Sequence, residues 1–131
     1  MPIANGLYSI RISMDGEDRR RASGIINLQD GALIGGDSFF YYTGTFDAKN
    51  GRWRGELMTR QHTDAPGKNL LFGGREVSCG FSGSYAGKIA KVEGTALVGK
   101  VSVAFRAELQ LLVPTQGLKT IVASTDRLDS N

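Results

Sequence analysis

The residues best suited to catalysis in this sequence are His62 and Cys79, its single histidine and single cysteine. A nucleophilic triad needs a base that a third group holds in place, and Asp64 lies too close to His62 in sequence to orient the ring. The chain has no Gly-x-Ser-x-Gly segment. One cysteine allows neither an internal disulfide nor a cysteine-based metal site. We therefore predict no catalytic residue, no metal and no cofactor, and interpret His62 as an ordinary loop histidine.

Two other patterns are better explained as exposed turns and strand faces than as a phosphate-binding loop or catalytic carboxylates. Residues 83–88, Gly-Ser-Tyr-Ala-Gly-Lys, have too short a spacing between their glycines for a phosphate-binding loop, and Ile89 stands where such a loop needs Ser or Thr. Glu93 and Glu108 alternate with apolar residues, as carboxylates on a solvated strand face do. We therefore expect a protein that is not an enzyme.

The formal net charge of +3 is dispersed along the chain except at Arg19, Arg20 and Arg21. Acidic residues precede this cluster and partly neutralise it, which favours a solvated hairpin turn; contact with a phosphate or an acidic partner is the alternative. Phe39 and Tyr41 lie on a segment with too few basic residues for a nucleic-acid-binding sheet. We predict no direct binding to nucleic acid.

Apolar and polar residues alternate with a period of two over most of the chain, which predicts β-strands with one buried face. Asn50-Gly51 is the strongest hairpin signal, because both residues tolerate the positive φ of a type I′ turn. The predicted strands are residues 8–14, 22–29, 32–35, 38–47, 52–61, 77–85, 88–98 and 101–112.

Eight strands joined mostly by short turns predict an all-β, antiparallel, up-and-down barrel, because a long meander removes its open edges by closing. We assign residues 1–112 to this barrel domain and residues 113–131 to a C-terminal tail or short helix, with Pro114 ending the last strand. Gly44, Gly55 and Gly83 fall on the inward face, where they allow strand coiling, the interpretation that we favour, or leave space.

The single cysteine predicts a cytoplasmic location, because a chain that cannot form an internal disulfide suits a reducing compartment. The first residues show no secretory signal pattern, and no apolar run approaches the roughly 18 residues that span a bilayer. We therefore expect no contact with a membrane.

Four short segments of the first third of the chain carry a family resemblance: Gly6-Leu7-Tyr8-Ser9-Ile10, Gly24-Ile25-Ile26, Ile34-Gly35-Gly36-Asp37 and Tyr42-Thr43-Gly44. In order and spacing they resemble the GrlR-type negative regulators of type III secretion. The resemblance implies a lipocalin-like barrel that forms a homodimer and holds a transcriptional activator.

The sequence departs from this family in one turn. Members that bind the activator GrlA carry Glu-Asp-Glu-Asp after the fourth strand, whereas the corresponding stretch here is residues 47–50, Asp-Ala-Lys-Asn, followed by Arg52. The resemblance therefore makes Asp47, Lys49, Asn50 and Arg52 candidate partner contacts, and the missing acidic run implies a different partner, a different contact surface or no such partner.

Three hypotheses follow. The first is a cytoplasmic regulator that acts by binding a protein, as a homodimer. The second is a carrier or sensor of a small apolar molecule in the barrel, and its candidate cavity residues are Tyr8, Trp53, Leu57, Phe81 and Phe105. The third, an enzyme, requires His62 beside a nucleophile in a pocket.

Overall fold

The computed structural model describes residues 3–14, 21–64, 76–98 and 100–116, apart from the side chains of Arg21 and Val98. Every regular element in these residues is a β-strand. The strands are β1 (Gly6–Met14), β2 (Arg21–Gln29), β3 (Ala32–Gly36), β4 (Phe40–Lys49), β5 (Arg52–Gln61), β6 (Val77–Ala86), β7 (Ile89–Val98) and β8 (Val101–Pro114).

The eight strands form a closed antiparallel barrel, which confirms the predicted fold. Each strand pairs with the next along the chain, and β8 pairs with β1 to complete the ring. Asn50 and Gly51 have φ values of 56° and 80°, as a type I′ turn requires, and Asp30 and Gly31 have 51° and 85°. These turn residues fix the registers of the β4–β5 and β2–β3 hairpins.

Strand β8 is longer than the sequence pattern predicts. Its pairing with β1 continues to Val113 opposite Leu7 and Pro114 opposite Gly6, two residues beyond the predicted end at Leu112. Residues 117–131, most of the predicted tail or helix, lie outside the described residues, as do Arg19, Arg20 and the long connection at residues 65–75.

The inward side chains fill the barrel with one apolar core. The period-two alternation that predicted the strands places its apolar residues on this inward face, so the core is built from alternate residues of all eight strands. Its larger members are Ile3, Tyr8, Ile10, Ile12, Met14, Ile26, Leu28, Leu33, Phe40, Tyr42, Phe46, Trp53, Val77, Phe81, Val92, Phe105 and Leu109.

Glycines on the inward face mark close contacts between strands. A side chain at Gly44, Gly55 or Gly83 would collide with a carbonyl oxygen of the adjacent strand. These glycines therefore support tight coiling, the interpretation favoured from the sequence, and they do not open a cavity.

Aromatic rings occupy the room beside two of these glycines. Gly55 lies opposite Phe46 on one neighbouring strand and Phe81 on the other, and Gly83 lies opposite Trp53. The Trp53 ring meets Phe46 edge-on at a centroid distance of 5.7 Å and Phe81 at 4.9 Å. The pairing of glycine with a large ring across strands thus fills the lumen.

The N-terminal residues close one end of the barrel. Ile3 is buried in the core although it precedes β1. Asn5 donates to Asp30 Oδ1 at 2.9 Å and accepts from the Asp30 main-chain N–H at 3.0 Å, and its carbonyl accepts from Thr115 N–H at 3.0 Å. These bonds tie the segment before β1 to the β2–β3 turn and to the end of β8.

Candidate functional site

The five residues predicted to line a ligand cavity all point inward, and four of them meet. Trp53, Leu57, Phe81 and Phe105 line one central cavity. Tyr8 is buried but lies outside that lining, and its hydroxyl donates to the Ala4 carbonyl at 2.6 Å. The alternating pattern was enough to identify which residues point inward. It could not show how far along the barrel axis each one lies, because that depends on the register between strands.

The central cavity is small and almost wholly apolar. Its volume is about 30 Å³, roughly a tenth of the smallest typical ligand pocket, about 300 Å³. Space of this size holds one or two molecules as small as water. In this conformation the barrel is a packed scaffold rather than a container for an organic ligand.

One polar group in this cavity has no hydrogen-bond partner among the residues that the structure describes. Thr59 is 1% exposed, and its Oγ1 forms no hydrogen bond with any described residue. A buried hydroxyl without a hydrogen bond destabilises a protein by roughly 1–3 kcal/mol. Cys79 lines the same cavity, and burial raises the pKa of its thiol from 9.0 to about 11. The thiol is therefore protonated and unreactive at neutral pH.

The candidate partner contacts lie on the hairpin that joins β4 and β5, at the end of the barrel that Ile3 closes. Asp47, Lys49, Asn50 and Arg52 are all exposed there. Lys49 is paired directly with Arg52 in the strand register, and Asp47 is paired with Arg54. The structure thus brings the four predicted residues together on one outer surface.

The cationic surface continues around the outside of the barrel. Arg52 is paired with Ser84 on β6, and Ser84 is paired with Lys91 on β7. We call Lys49, Arg52 and Lys91 the basic row. Sequence reasoning missed Lys91 because only the register between β5, β6 and β7 places it beside the hairpin.

A second surface feature was also missed, an apolar face on the outside of β2, β3 and β4. Ile25, Ile34 and Tyr41 are 50%, 60% and 38% exposed. Gly36 is paired with Ile25 on one side and with Tyr41 on the other, so the three side chains surround a position that has none. Larger contiguous apolar patches mark interaction surfaces, so this face is a candidate for one. The alternating pattern places the two isoleucines on the outward face, and this could have revealed the apolar surface from the sequence.

A shallow groove borders this apolar face. It runs along β1, β2 and β3 beside Ile25, over the small residues Ser23, Gly24 and Gly36. Arg11 and Asp37 line it as well. Apolar area with charged groups at its margin is typical of a protein-binding surface.

His62 links two connections at the opposite end from Ile3. Its Nε2 lies 3.0 Å from the Asp37 carbonyl oxygen and its Nδ1 lies 2.6 Å from Thr63 Oγ1. A carbonyl oxygen only accepts, so Nε2 carries the proton and, in the neutral ring, Nδ1 accepts from the Thr63 hydroxyl. His62 and Thr63 are both exposed. The ring thus bridges the β3–β4 turn and the end of β5.

Among the described residues, no group of three or more His, Cys, Asp or Glu side chains is arranged to bind a metal ion. None of the structure's described segments is a helix of the length and apolar character needed to cross a bilayer. No protein-family model matches the chain, and no curated protein is significantly similar to it.

Proposed function

We propose that this protein is a cytoplasmic regulator that acts by binding other proteins through the outside of its barrel, in the manner of the GrlR-type negative regulators that its first strands resemble. The observation that carries the proposal is the exposed apolar face of Ile25, Ile34 and Tyr41 on a barrel whose lumen is filled. Exposed β-branched side chains on a rigid sheet provide contact area with little loss of side-chain entropy.

Self-association is the first use that we assign to this face. The three side chains lie on three adjacent strands and carry no charge of their own, so a second copy can cover them without burying a charged group among them. A homodimer also leaves the basic row, on the β4–β5 hairpin and β7, free for another protein. We propose that such a dimer holds a transcriptional activator by contact with the outer surface of the barrel.

The test is sedimentation equilibrium over a wide range of protein concentration. We expect the natural protein to form a dimer and Ile34→Lys to be monomeric, because the substitution places a charge in the centre of the apolar contact. Leu112→Lys is the matched control, since Leu112 is also an exposed apolar residue, on β8. A natural protein that is monomeric throughout and captures no protein from a native lysate would contradict the proposal.

A small apolar ligand in the lumen is the second candidate function, and Thr59 is the observation that favours it, because an unpaired hydroxyl in an apolar cavity could accept one hydrogen bond. The cavity would have to expand about tenfold to reach the roughly 300 Å³ of an ordinary ligand pocket. Native mass spectrometry of the purified protein checks this candidate: a copurified small molecule would support it, and the mass of the bare chain would oppose it.

A further inference from the structure

The tip of the β4–β5 hairpin contains a charge arrangement that works against the fold. Lys49 and Arg52 are paired directly across the turn and both are exposed. Like charges in directly opposite positions destabilise a sheet. The next outward pair on the same hairpin, Asp47 with Arg54, has opposite charges. The like-charged pair at the tip is therefore not explained by strand pairing.

The third cation of the basic row extends this charge onto another strand. Ser84 lies between Arg52 and Lys91 on the intervening strand. Its side chain is small, so it does not block access to the two cations. No ion pair joins Lys49, Arg52 or Lys91 to a carboxylate in the described part of the chain. Three strand spacings separate β4 from β7, so the row is about 14 Å long.

We propose that the basic row is a docking surface for an acidic peptide segment of a partner protein. The inference rests on the proposed protein-binding function and adds the chemistry of the partner. In an extended peptide, alternate side chains lie about 6.6 Å apart on one face, so three carboxylates at alternate positions extend about 13 Å. This length matches the row, and each carboxylate would meet one cation.

The surroundings of the row favour a peptide over a nucleic acid. Glu108 is paired with Lys91 on the far side, and Asp47 lies behind Lys49 on the same strand face, so carboxylates bound the row on two sides. A phosphate backbone carries closely spaced charges and needs a longer cationic track. The row also contains no aromatic residue on which a base could stack.

Fluorescence anisotropy with a labelled Glu-Ser-Glu-Ser-Glu peptide at low salt tests the proposal. We expect binding by the natural protein, no binding of the Gln-Ser-Gln-Ser-Gln peptide, and binding about tenfold weaker in Lys49→Glu. Lys100→Glu is the matched control, because it makes the same change of net charge at the opposite end of the barrel, and its affinity should remain within about twofold of the natural protein.

The weaker binding of Lys49→Glu is not expected to come from unfolding. The substitution creates an opposite-charge pair with Arg52, so resistance to urea should be unchanged or higher. Equal weakening by Lys100→Glu would overturn the proposal and indicate a general charge effect. Tighter binding of a DNA or RNA duplex, lost in Lys49→Glu, would also overturn it, in favour of nucleic acid.

The outcome is separable from that of the proposed function. Ile34→Lys changes the apolar face and leaves the basic row in place, so that variant should bind the acidic peptide as the natural protein does. If the peptide fails to bind while the natural protein still forms a dimer through Ile34, the acidic-partner inference alone is wrong.

Discussion

Tyr42 donates a hydrogen bond from its hydroxyl to Asp37 Oδ2 at 2.6 Å, and the other oxygen of that carboxylate accepts from the main-chain N–H groups of Phe39 and Phe40 at 2.9 and 2.8 Å. Asp37 therefore closes the β3–β4 turn and ties it to a ring in the core. Burial and the Asp37 carboxylate both raise the pKa of Tyr42 well above its usual value.

Removing the Tyr42 hydroxyl should destabilise the barrel. Tyr42→Phe is expected to lower the free energy of unfolding by about 1–2 kcal/mol, because a short hydrogen bond to a carboxylate is lost. Urea denaturation measures the change. Tyr41→Phe, on the exposed face of the same strand, is the control and should shift stability by less than about 0.5 kcal/mol. Equal effects of the two substitutions would mean that the Asp37 bond contributes little.

Stability should fall at alkaline pH because of Cys79. Burial raises the pKa of its thiol from 9.0 in the unfolded chain to about 11 in the barrel. Between these values the unfolded chain has lost a proton that the folded protein retains. The stabilisation is therefore fully present below pH 9 and is lost as pH rises towards 11, by at most about 1.4 kcal/mol per pH unit.

The measurement is urea denaturation at several pH values between 8 and 11. In Cys79→Ala the slope of stability against pH should be flatter between pH 9 and pH 10, although its absolute stability is lower because a core side chain is shortened. Tyr42 adds a further loss above about pH 10, since its pKa is also raised. An unchanged slope in Cys79→Ala would show that other groups cause the alkaline destabilisation.

Gly83 and Gly80 lie on the same strand and should respond oppositely to alanine. A Cβ at Gly83 would collide with the main chain of Lys91, whereas a Cβ at Gly80 has nothing within 4 Å. We expect Gly83→Ala to lower the free energy of unfolding by about 3 kcal/mol, as overpacking does, and Gly80→Ala to leave it unchanged or slightly higher. Thermal denaturation decides the matter, and a tolerated Gly83→Ala would contradict the close strand contact.

The hydroxyl of Thr59 is expected to destabilise the folded barrel. Thr59→Val keeps the shape of the side chain and removes the unpaired oxygen, so the free energy of unfolding is expected to rise by about 1 kcal/mol. Thr59→Ser keeps the hydroxyl and loses a buried methyl group, and should lower stability by a similar amount. Lower stability of Thr59→Val would show that the hydroxyl has a partner in solution.

Much of the barrel could be predicted from local signals. The alternation at Tyr8, Ile10 and Ile12 identified an inward face, and Asn50-Gly51 identified a hairpin whose φ values are positive as expected. Both signals act between residues that are near in sequence, through strand pleat and turn sterics. For that reason the sequence was enough to infer the strands and the turns, whereas closure was inferred from the need of a long meander to remove its open edges.

The candidate site was only partly predictable. The sequence placed Lys49 and Arg52 together because they flank one turn, but it could not place Lys91 beside them, since that depends on the registers of β5, β6 and β7. The burial of Ile3 was missed for the same kind of reason: it precedes β1 and has no periodic pattern to join.

The sequence by itself determined which side chains of the strands face the interior, because a strand's pleat sends alternate residues to opposite faces whatever the surrounding structure. Tertiary structure decided whether that interior is filled. Gly55 accepts the ring of Phe81, and Gly83 that of Trp53, only when β5 and β6 pair in this register although a long connection separates them in sequence. The volume of the central cavity therefore depends on how these side chains pack together, and no single residue determines it.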